Sequence, residues 1–500
     1  MASPVLQVWD FRPVATRKGA CQKDCEPAGV EAPVKGLERK EINAMGVRES
    51  SGKAAGDEAA RGATARRRGA LTGQAGAPGD KSISHRALIL GAMAEGETSV
   101  YGLLEGDDVL RTGAAMRALG ADVEREAGER GSVWRVTGAK WRAPERPLYF
   151  GNAGTGSRLV MGAVAGAGVG ASFDGDISLR RRPMGRILSP LRAMGALADD
   201  HEGKLPVTIK PGHRLNAIAY ELPTPSAQIK SAVLLAALGA DGETIVREPV
   251  PCRDHTERML AAFGARISVE EHGEGGRVIR LSGGQKLKAI EINVPGDPSS
   301  AAFLVAAALI VPGSDVLVKN VLVNPLRIGF FETLKEMGAD LSFENAREEG
   351  GEPVADIRAR ASRLKGVSIP AARAPSMIDE YPILAILAAF AEGETLMNGV
   401  EELRVKESDR IASVEAGLKA NGVSAESGPD WLKVKGLAGA VPGGALVATH
   451  EDHRIAMSFL VMGLASAAPV AIDDASMIAT SFPDFFALMK GLGADIDAAA

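Results

Sequence analysis

Long apolar runs alternate with short polar segments along most of this chain, and the alternation recurs six times. Arg86–Ala94, Ile229–Leu238, Ala301–Val311, Pro382–Ala391 and Arg454–Ala465 are rich in Ala, Leu, Ile and Met almost all round, which predicts buried helices rather than surface ones. Three of these runs enter nearly the same turn: Ala94-Glu95-Gly96-Glu97-Thr98, Ala240-Asp241-Gly242-Glu243-Thr244 and Ala391-Glu392-Gly393-Glu394-Thr395. Gly at that place suits a left-handed helix cap, after which a strand begins. A second helical pattern follows in each repeat. It ends at Leu119-Gly120-Ala121, Met194-Gly195-Ala196, Phe263-Gly264-Ala265, Met337-Gly338-Ala339, Asn421-Gly422-Val423 or Leu492-Gly493-Ala494 and leads into a strand-like stretch. The chain is therefore a tandem array of mixed helix and strand units.

The polar starts of the units hold the unusual chemistry: Asp80-Lys81-Ser82, Asn152-Ala153-Gly154-Thr155, Ser226-Ala227-Gln228, Asp297-Pro298-Ser299, Asp379-Glu380 and Asp452-His453-Arg454. If the buried helices run parallel, their N-termini share one face and present free N–H groups and positive dipole ends to a common cleft. Lys81, Arg86, Arg182, Arg253, Lys406, Arg410 and Arg454 lie at these starts or in the loops that follow. Arg binds phosphate or carboxylate bidentately and Lys binds it as a point charge. An isolated Arg is ordinarily solvated surface, but seven cations at corresponding places point to an anion site. Arg180, Arg181 and Arg182 repel one another unless an anion is near, although Arg180 and Arg181 also fit plain exposure. Asp379 opens a buried helix, where it fits an N-cap as well as a proton acceptor. Glu407, in Arg404-Val405-Lys406-Glu407-Ser408-Asp409-Arg410, fits a solvated helix face. It fits equally a carboxylate kept ionised by cations, whose proton affinity rises beside a bound anion. His85 and His453 read first as structural hydrogen-bonders.

Composition narrows the class. Five hundred residues exceed what one core usually serves, so two domains of three units each are expected. Aromatic residues make up only 4% of the chain against 59 Gly, which predicts helices packed closely through small side chains. The formal charge of -5 offers no global attraction for nucleic acid or an acidic membrane, so an anionic ligand must be held by a local basic cluster. Three cysteines make no disulfide framework and fit a reducing compartment. No apolar stretch approaches the ~20 residues of a membrane span. A cytoplasmic protein is expected. Residues 1–70 lack period and are expected to be a disordered extension, or to follow a start placed too early, with Met45 the alternative. Their acidic residues argue against a transit peptide, and Cys21 and Cys25 lack the second ligand pair that a metal site needs.

Several segments together carry a resemblance. Pro78-Gly79-Asp80-Lys81-Ser82-Ile83-Ser84-His85-Arg86, Gly151-Asn152-Ala153-Gly154-Thr155 and Arg182-Pro183-Met184-Gly185-Arg186 are followed, in order, by Arg404 to Arg410, Asp452-His453-Arg454 and Ser481-Phe482-Pro483-Asp484. From about residue 71 to the C-terminus the chain resembles the enolpyruvylshikimate-phosphate synthases, in the bacterial class that includes glyphosate-tolerant members. The resemblance implies an α/β fold, a two-domain inverse α/β barrel of six repeated βαβαββ-type units, three per domain, with parallel buried helices inside and sheets outside. The chain would cross between domains near Gly79 and Pro295, giving domain I as residues 71–79 plus 296–500 and domain II as 80–295. The implied reaction moves the enolpyruvyl group of phosphoenolpyruvate to the 5-hydroxyl of 3-phosphoshikimate and releases phosphate, a step toward chorismate and the aromatic amino acids. No cofactor or metal is implied, and a monomer acting on two small molecules is expected.

The resemblance also implies roles. Lys81, Ser82, Arg86, Ser226, Ala227, Gln228, Arg253, Asp379 and Lys406 would contact 3-phosphoshikimate. Lys81, Gly154, Arg182, Gln228, Arg410 and Arg454 would hold phosphoenolpyruvate. Asp379 would accept the hydroxyl proton, Glu407 would protonate the methylene carbon, and Lys81 would join them as a catalytic group. Thr480 stands where many relatives have Lys, so one phosphoenolpyruvate contact is expected to be missing or supplied elsewhere. Insensitive relatives carry Ala at the position of Gly154, whose absent methyl leaves room for glyphosate, so inhibition is expected even though Leu159 departs from the sensitive class. Two other readings stay open. One is the sister transfer to a UDP-amino sugar, against which stands the lack of a cysteine in Asp176–Arg182. The other is a non-catalytic anion-binding repeat scaffold.

Overall fold

The computed structural model describes residues 62–498, apart from 129–130, 213 and 274. Helices follow one another in a repeating order: α1 (Lys81–Met93), α2 (Asp107–Ala118), α3 (Gly154–Gly166), α4 (Ile177–Arg181), α5 (Gly185–Ala193), α6 (Ala227–Ala237), α7 (His255–Ala262), α8 (Pro298–Ile310), α9 (Gly329–Glu336), α10 (Tyr381–Phe390), α11 (Arg410–Ala420), α12 (His453–Gly463) and α13 (Phe485–Gly491). The apolar runs form the inner helices α1, α6, α8, α10 and α12, and α3 joins them. Every residue of α8, α10 and α12 is buried, as all-round apolar helices must be. The outer helices α2, α5, α7, α9, α11 and α13 each run into a glycine at positive φ, from +78° at Gly422 to +109° at Gly120. That left-handed conformation turns the chain off the helix at little steric cost.

Six four-stranded sheets accompany the helix pairs. In the first, Glu97–Tyr101 pairs antiparallel with Gly131–Thr137, which pairs in turn with Asp122–Gly128, while Glu291–Asn293 adds in parallel at the edge. The other five repeat this order, and alternating burial puts one face of each against the helices. The fold is thus the inside-out α/β arrangement, with helices within and sheets around them. Buried apolar residues fall into two cores. One joins Ala63–Ala75 to Ala301–Ile496, and the other gathers residues from Ile83 to Val294 together with Leu322.

The sixth sheet corrects the expected extent of the N-terminal extension. Ala63–Arg66 is a strand, lying antiparallel between Val470–Ile472 and Asp495–Ala498. Ala63 and Ala65 are buried while Thr64 and Arg66 are only partly covered, so the segment does alternate. Its inward residues are alanines, too small to register as an apolar strand pattern. The expectations for residues 1–61, Met45, Cys21 and Cys25 among them, lie outside the described residues.

Between the two cores the chain passes twice, side by side. Gly79 pairs antiparallel with Gly296, Asp80 N–H donates to Pro295 O at 2.7 Å, and Asp297 N–H donates to Pro78 O at 2.8 Å. Asp80 caps α1 by accepting from Ile83 N–H, and Asp297 caps α8 by accepting from Ser299 N–H. One guanidinium ties the two caps: Arg327 Nη1 lies 2.8 Å from Asp80 and Nη2 lies 3.0 Å from Asp297. All three side chains are buried.

Small residues let the inner helices touch backbone to backbone. A Cβ on Gly162 of α3 would collide with the carbonyl oxygen of Ala232 in α6, and one on Gly166 would meet Ala236 O at 2.8 Å. Gly162→Ala is therefore expected to destabilise the fold by about 1–3 kcal/mol, the usual cost of overpacking. Urea denaturation would register it as a lowered midpoint, and an unchanged midpoint would mean that α3 and α6 separate freely.

Candidate active site

Six inner helices begin at one cavity of about 480 Å³. Lys81 and Ser82 of α1, Gly154 and Thr155 of α3, Ala227 and Gln228 of α6, Ser299 of α8 and His453 and Arg454 of α12 line it, with Asp379 two residues before α10. The gathering of N-termini read from the unit starts is what the fold builds. Eight cations line the wall: Lys81, Arg158, Arg182, Arg186, Arg253, Arg327, Lys406 and Arg454. Seven carboxylates answer them: Asp80, Asp108, Asp297, Asp379, Glu401, Glu402 and Glu407.

Of the residues singled out from sequence, Lys81, Ser82, Gly154, Arg182, Ser226, Ala227, Gln228, Arg253, Asp379, Lys406, Glu407 and Arg454 all line this cavity. Arg86 and Arg410 are not among the lining residues. Arg86 is buried behind the wall, donating to Thr256 Oγ1 at 2.7 Å, Ser231 Oγ at 2.7 Å and Ser82 O at 2.9 Å. Arg410 is 1% exposed and reaches the cavity only through carboxylates, Glu407 at 2.6 Å, Asp379 at 3.4 Å and Asp452 at 2.8 Å. A buried guanidinium needs such partners.

Asp379 is not a cap. The N-cap of α10 is Glu380, which makes no side-chain capping bond, while Asp379 takes Arg253 at 2.7 Å and lies 3.9 Å from Arg454. Burial pushes its carboxyl upward, yet Arg454, Arg253, Lys406 and Arg410 more than offset this and hold it well below the ordinary 3.8. Glu407 behaves alike: burial raises it, and Arg410 and Arg182 pull it well below 4.5. Glu380 is the counter-example, raised by burial and by the charge of Asp379. Lys406 is lowered by burial despite Asp379 and Glu402. His453 is pushed down to about 3 by burial, Lys81 and Arg454, so it sits neutral in the wall, and its Nε2 is buried without a partner. His85 is the structural hydrogen-bonder expected of it, bonded to Thr112 Oγ1 at 2.8 Å.

Sequence reading passed over other wall residues. Arg158 lies one helical turn after Gly154 and donates to Gln228 Oε1 at 2.6 Å and Pro183 O at 3.1 Å. Burial, with Arg182 and Arg186 beside it, lowers it to about 9. The four-residue spacing from Gly154 was the available signal. Arg186 stands inside the quoted Arg182-Pro183-Met184-Gly185-Arg186 motif and pairs across the cleft with Glu402 at 2.8 Å. Asp108 pairs with Lys81. Arg327 had no signal, since nothing near it in sequence marks its partners. Thr480 does not line the cavity; its hydroxyl donates to Met477 O at 2.7 Å.

The model of the EPSP synthase (3-phosphoshikimate 1-carboxyvinyltransferase) family matches residues 65–489. The chain belongs to this family. It is 60% identical over 432 residues to the 3-phosphoshikimate 1-carboxyvinyltransferase of Parvibaculum lavamentivorans, covering 86% of this chain and 96% of that one. It is 59% identical over 441 residues to the protein of the same name from Methylorubrum populi, covering 87% and 97%. The 2.37 Å structure of EPSP synthase from Acinetobacter baumannii superposes with a TM-score of 0.77 at 43% identity, over 88% of this chain and all of that one. The enolpyruvyl transferase NikO from Streptomyces tendae, at 18% identity and a TM-score of 0.68, shares the fold.

The EPSP synthase wall described above carries a pH signature. Asp379 and Glu407 are depressed in the folded state, so they stabilise the fold fully above the ordinary carboxylate range and lose that contribution as pH falls below about 4. Unfolding free energy followed from about pH 7 to about pH 3 should fall on the acid side, and Glu407→Gln should flatten that limb. An acid limb identical in both proteins would show that Glu407 is not held in its ion pairs.

Proposed function

We propose that this chain is a 3-phosphoshikimate 1-carboxyvinyltransferase, transferring the enolpyruvyl group of phosphoenolpyruvate to the 5-hydroxyl of 3-phosphoshikimate and releasing phosphate. What supports the reading is the convergence of helix N-termini and cations on one cavity in a member of this family. The two substrates bring a phosphate and a carboxylate each, and the wall offers Arg forks and Lys charges for them.

In this reading Lys81, Ser82, Ser226, Ala227, Gln228, Arg253 and Lys406 receive 3-phosphoshikimate, while Lys81, Gly154, Arg182, Gln228 and Arg454 receive phosphoenolpyruvate and Arg410 acts on it through Glu407 and Asp379. Arg86 then acts from behind the wall by fixing the Ser82 carbonyl. Asp379 takes the proton of the 5-hydroxyl as its oxygen attacks C2 of phosphoenolpyruvate. Glu407 gives a proton to the methylene carbon, forming a tetrahedral adduct with a methyl group; Glu407 then takes a proton back from that methyl as the C2–O bond to phosphate breaks, and Asp379 returns its proton to the departing phosphate. Both carboxylates are weak bases while the cations of the chain surround them. Substrate anions that draw off Arg182, Arg410, Arg253 and Arg454 raise their proton affinity, so the chemistry switches on when both substrates are in place. The lobes 71–79 plus 296–500 and 80–295 close on the substrates and exclude water. Arg158 and Arg186 supply the positive charge that Thr480 lacks. The enzyme works as a cytoplasmic monomer; no helix among the described residues is long and apolar enough to cross a membrane.

Phosphate release that requires both 3-phosphoshikimate and phosphoenolpyruvate is the expected outcome with purified protein, and release with either alone, or none, overturns the reading. Asp379→Asn and Glu407→Gln should each lower kcat by roughly 10²- to 10⁴-fold. Gly154→Ala puts a Cβ 2.7 Å from Arg182 Nη1. The displaced guanidinium should raise both the KM for phosphoenolpyruvate and the glyphosate concentration needed for half inhibition, against a sensitive parent; a parent whose dose-response curve is flat to about millimolar glyphosate would refute this.

A further inference from the structure

Behind the cavity, at the two crossings, lies a buried polar network that the proposed chemistry does not use. His255, the first residue of α7, is fully buried and comes from the segment between the crossings; Glu352, Asn324 and Arg327, also buried, come from beyond the second crossing. His255 Nδ1 lies 2.7 Å from Glu352 Oε1 and its Nε2 lies 3.4 Å from Arg327 Nη1. Arg327 only donates, so Nε2 accepts; Nδ1 therefore carries the proton and donates to Glu352. Asn324 Nδ2 donates to Asp254 Oδ1 and to Glu352 Oε2, both at 2.8 Å.

The network does not stop there. Arg327 continues to Asp80, next to Lys81, and to Asp297 and Ser299 Oγ, and that hydroxyl donates to Glu380, next to Asp379. On the other side, two residues before His255, Arg253 meets Asp379 at 2.7 Å. Asp254 sits at the N-cap place of α7 but makes no capping bond, its carboxylate being drawn instead to Asn324, Arg258 and Arg277. The start of α7 is thus held by side-chain bonds, those to Asn324 and Glu352 reaching the other lobe, rather than by its own cap.

We propose that His255 is a positioning residue for the transfer reaction, a bolt that fixes the start of α7 between Glu352 and Arg327 and so keeps Arg253 in register with Asp379 and Lys81. This rests on the assignment of Arg253 and Asp379 to the substrate site. The cations expected to hold phosphoenolpyruvate, Arg182, Arg410 and Arg454, lie on other elements and are not attached to α7. Loosening the bolt therefore weakens one substrate selectively. Asp254, His255 and Glu352 bring possible metal-ligand atoms together, but Asn324 and Arg258 already donate to those carboxylates and Arg277 lies 3.5 Å from Asp254, so the cluster serves as a joint.

The test compares His255→Ala, His255→Asn and His255→Gln with the parent in steady-state kinetics and thermal melting. Asn keeps the donor toward Glu352 and loses Arg327; Gln keeps an acceptor toward Arg327 and loses Glu352. His255→Ala should raise the KM for 3-phosphoshikimate by about 10- to 100-fold, the scale of a misplacement near 1 Å, with a much smaller change for phosphoenolpyruvate. Asn and Gln should each fall between Ala and the parent, which keeps the proposal testable should the Ala variant fail to fold. A lower Tm with both KM values unchanged, or raised equally, overturns the positioning role. Asp379→Asn, measured alongside, separates the two ideas: retained turnover there sinks the site assignment, whereas lost turnover with a flat His255 series sinks only the bolt. Nitrogen-15 histidine spectra should show the Nδ1–H tautomer for His255, and Nε2–H would overturn the geometry. Zn²⁺ or Mn²⁺ that raises the Tm of the parent but not of Glu352→Gln would make the cluster a metal site and overturn the bolt.

Discussion

Helix N-termini that converge on one cavity concentrate positive potential, and that potential has to be answered by negative charge. In this structure the answer is internal. Glu407 sits between Arg182 and Arg410, Asp379 between Arg253 and Arg410, and Glu402 beside Arg186, so carboxylates of the chain occupy the cations that a phosphate or carboxylate ligand would claim. Binding is then an exchange of anions rather than the filling of a bare basic hole. Depressed Asp379 and Glu407 follow from the same crowding.

That convergence depends on close helix packing. Inner helices in which glycine faces a neighbouring backbone, as Gly162 faces Ala232, approach more closely than ring-filled helices could, and their starts fall within reach of one pair of small substrates. It depends equally on the double crossing. Arg327 ties the caps of α1 and α8 where the chain runs antiparallel beside itself, and Arg186 meets Glu402 in a further ion pair across the cavity wall. Breaking one partner of a buried ion set leaves an uncompensated charge, which makes the joint costly to disrupt.

Much of this was legible in order along the chain. The inner helices were visible as all-round apolar runs because a helix buried on every side has no polar face to keep. The outer helix ends were visible because a left-handed cap selects glycine, and each of the six terminators proved to be one. Most of the wall was visible too, since Lys81, Ser226, Gln228, Asp379 and Arg454 sit at starts that repeat. Ala63–Arg66 was not visible, because alanines facing a sheet leave too weak an apolar signal. Arg158 was missed because it lies a turn inside an otherwise apolar helix.

The sequence by itself determined the units: where each helix starts and stops, which residues arrive at a polar start, and which charges are present in number. Those are local properties, set by side-chain size, backbone freedom and apolar periodicity over a few turns. The tertiary structure decided pairing: that Asp379 faces arginines instead of capping α10, that Arg86 and Arg410 stand behind the wall, and that His255, Glu352 and Arg327 meet. Partners far apart in sequence are chosen by how whole units pack, and no local pattern records that choice.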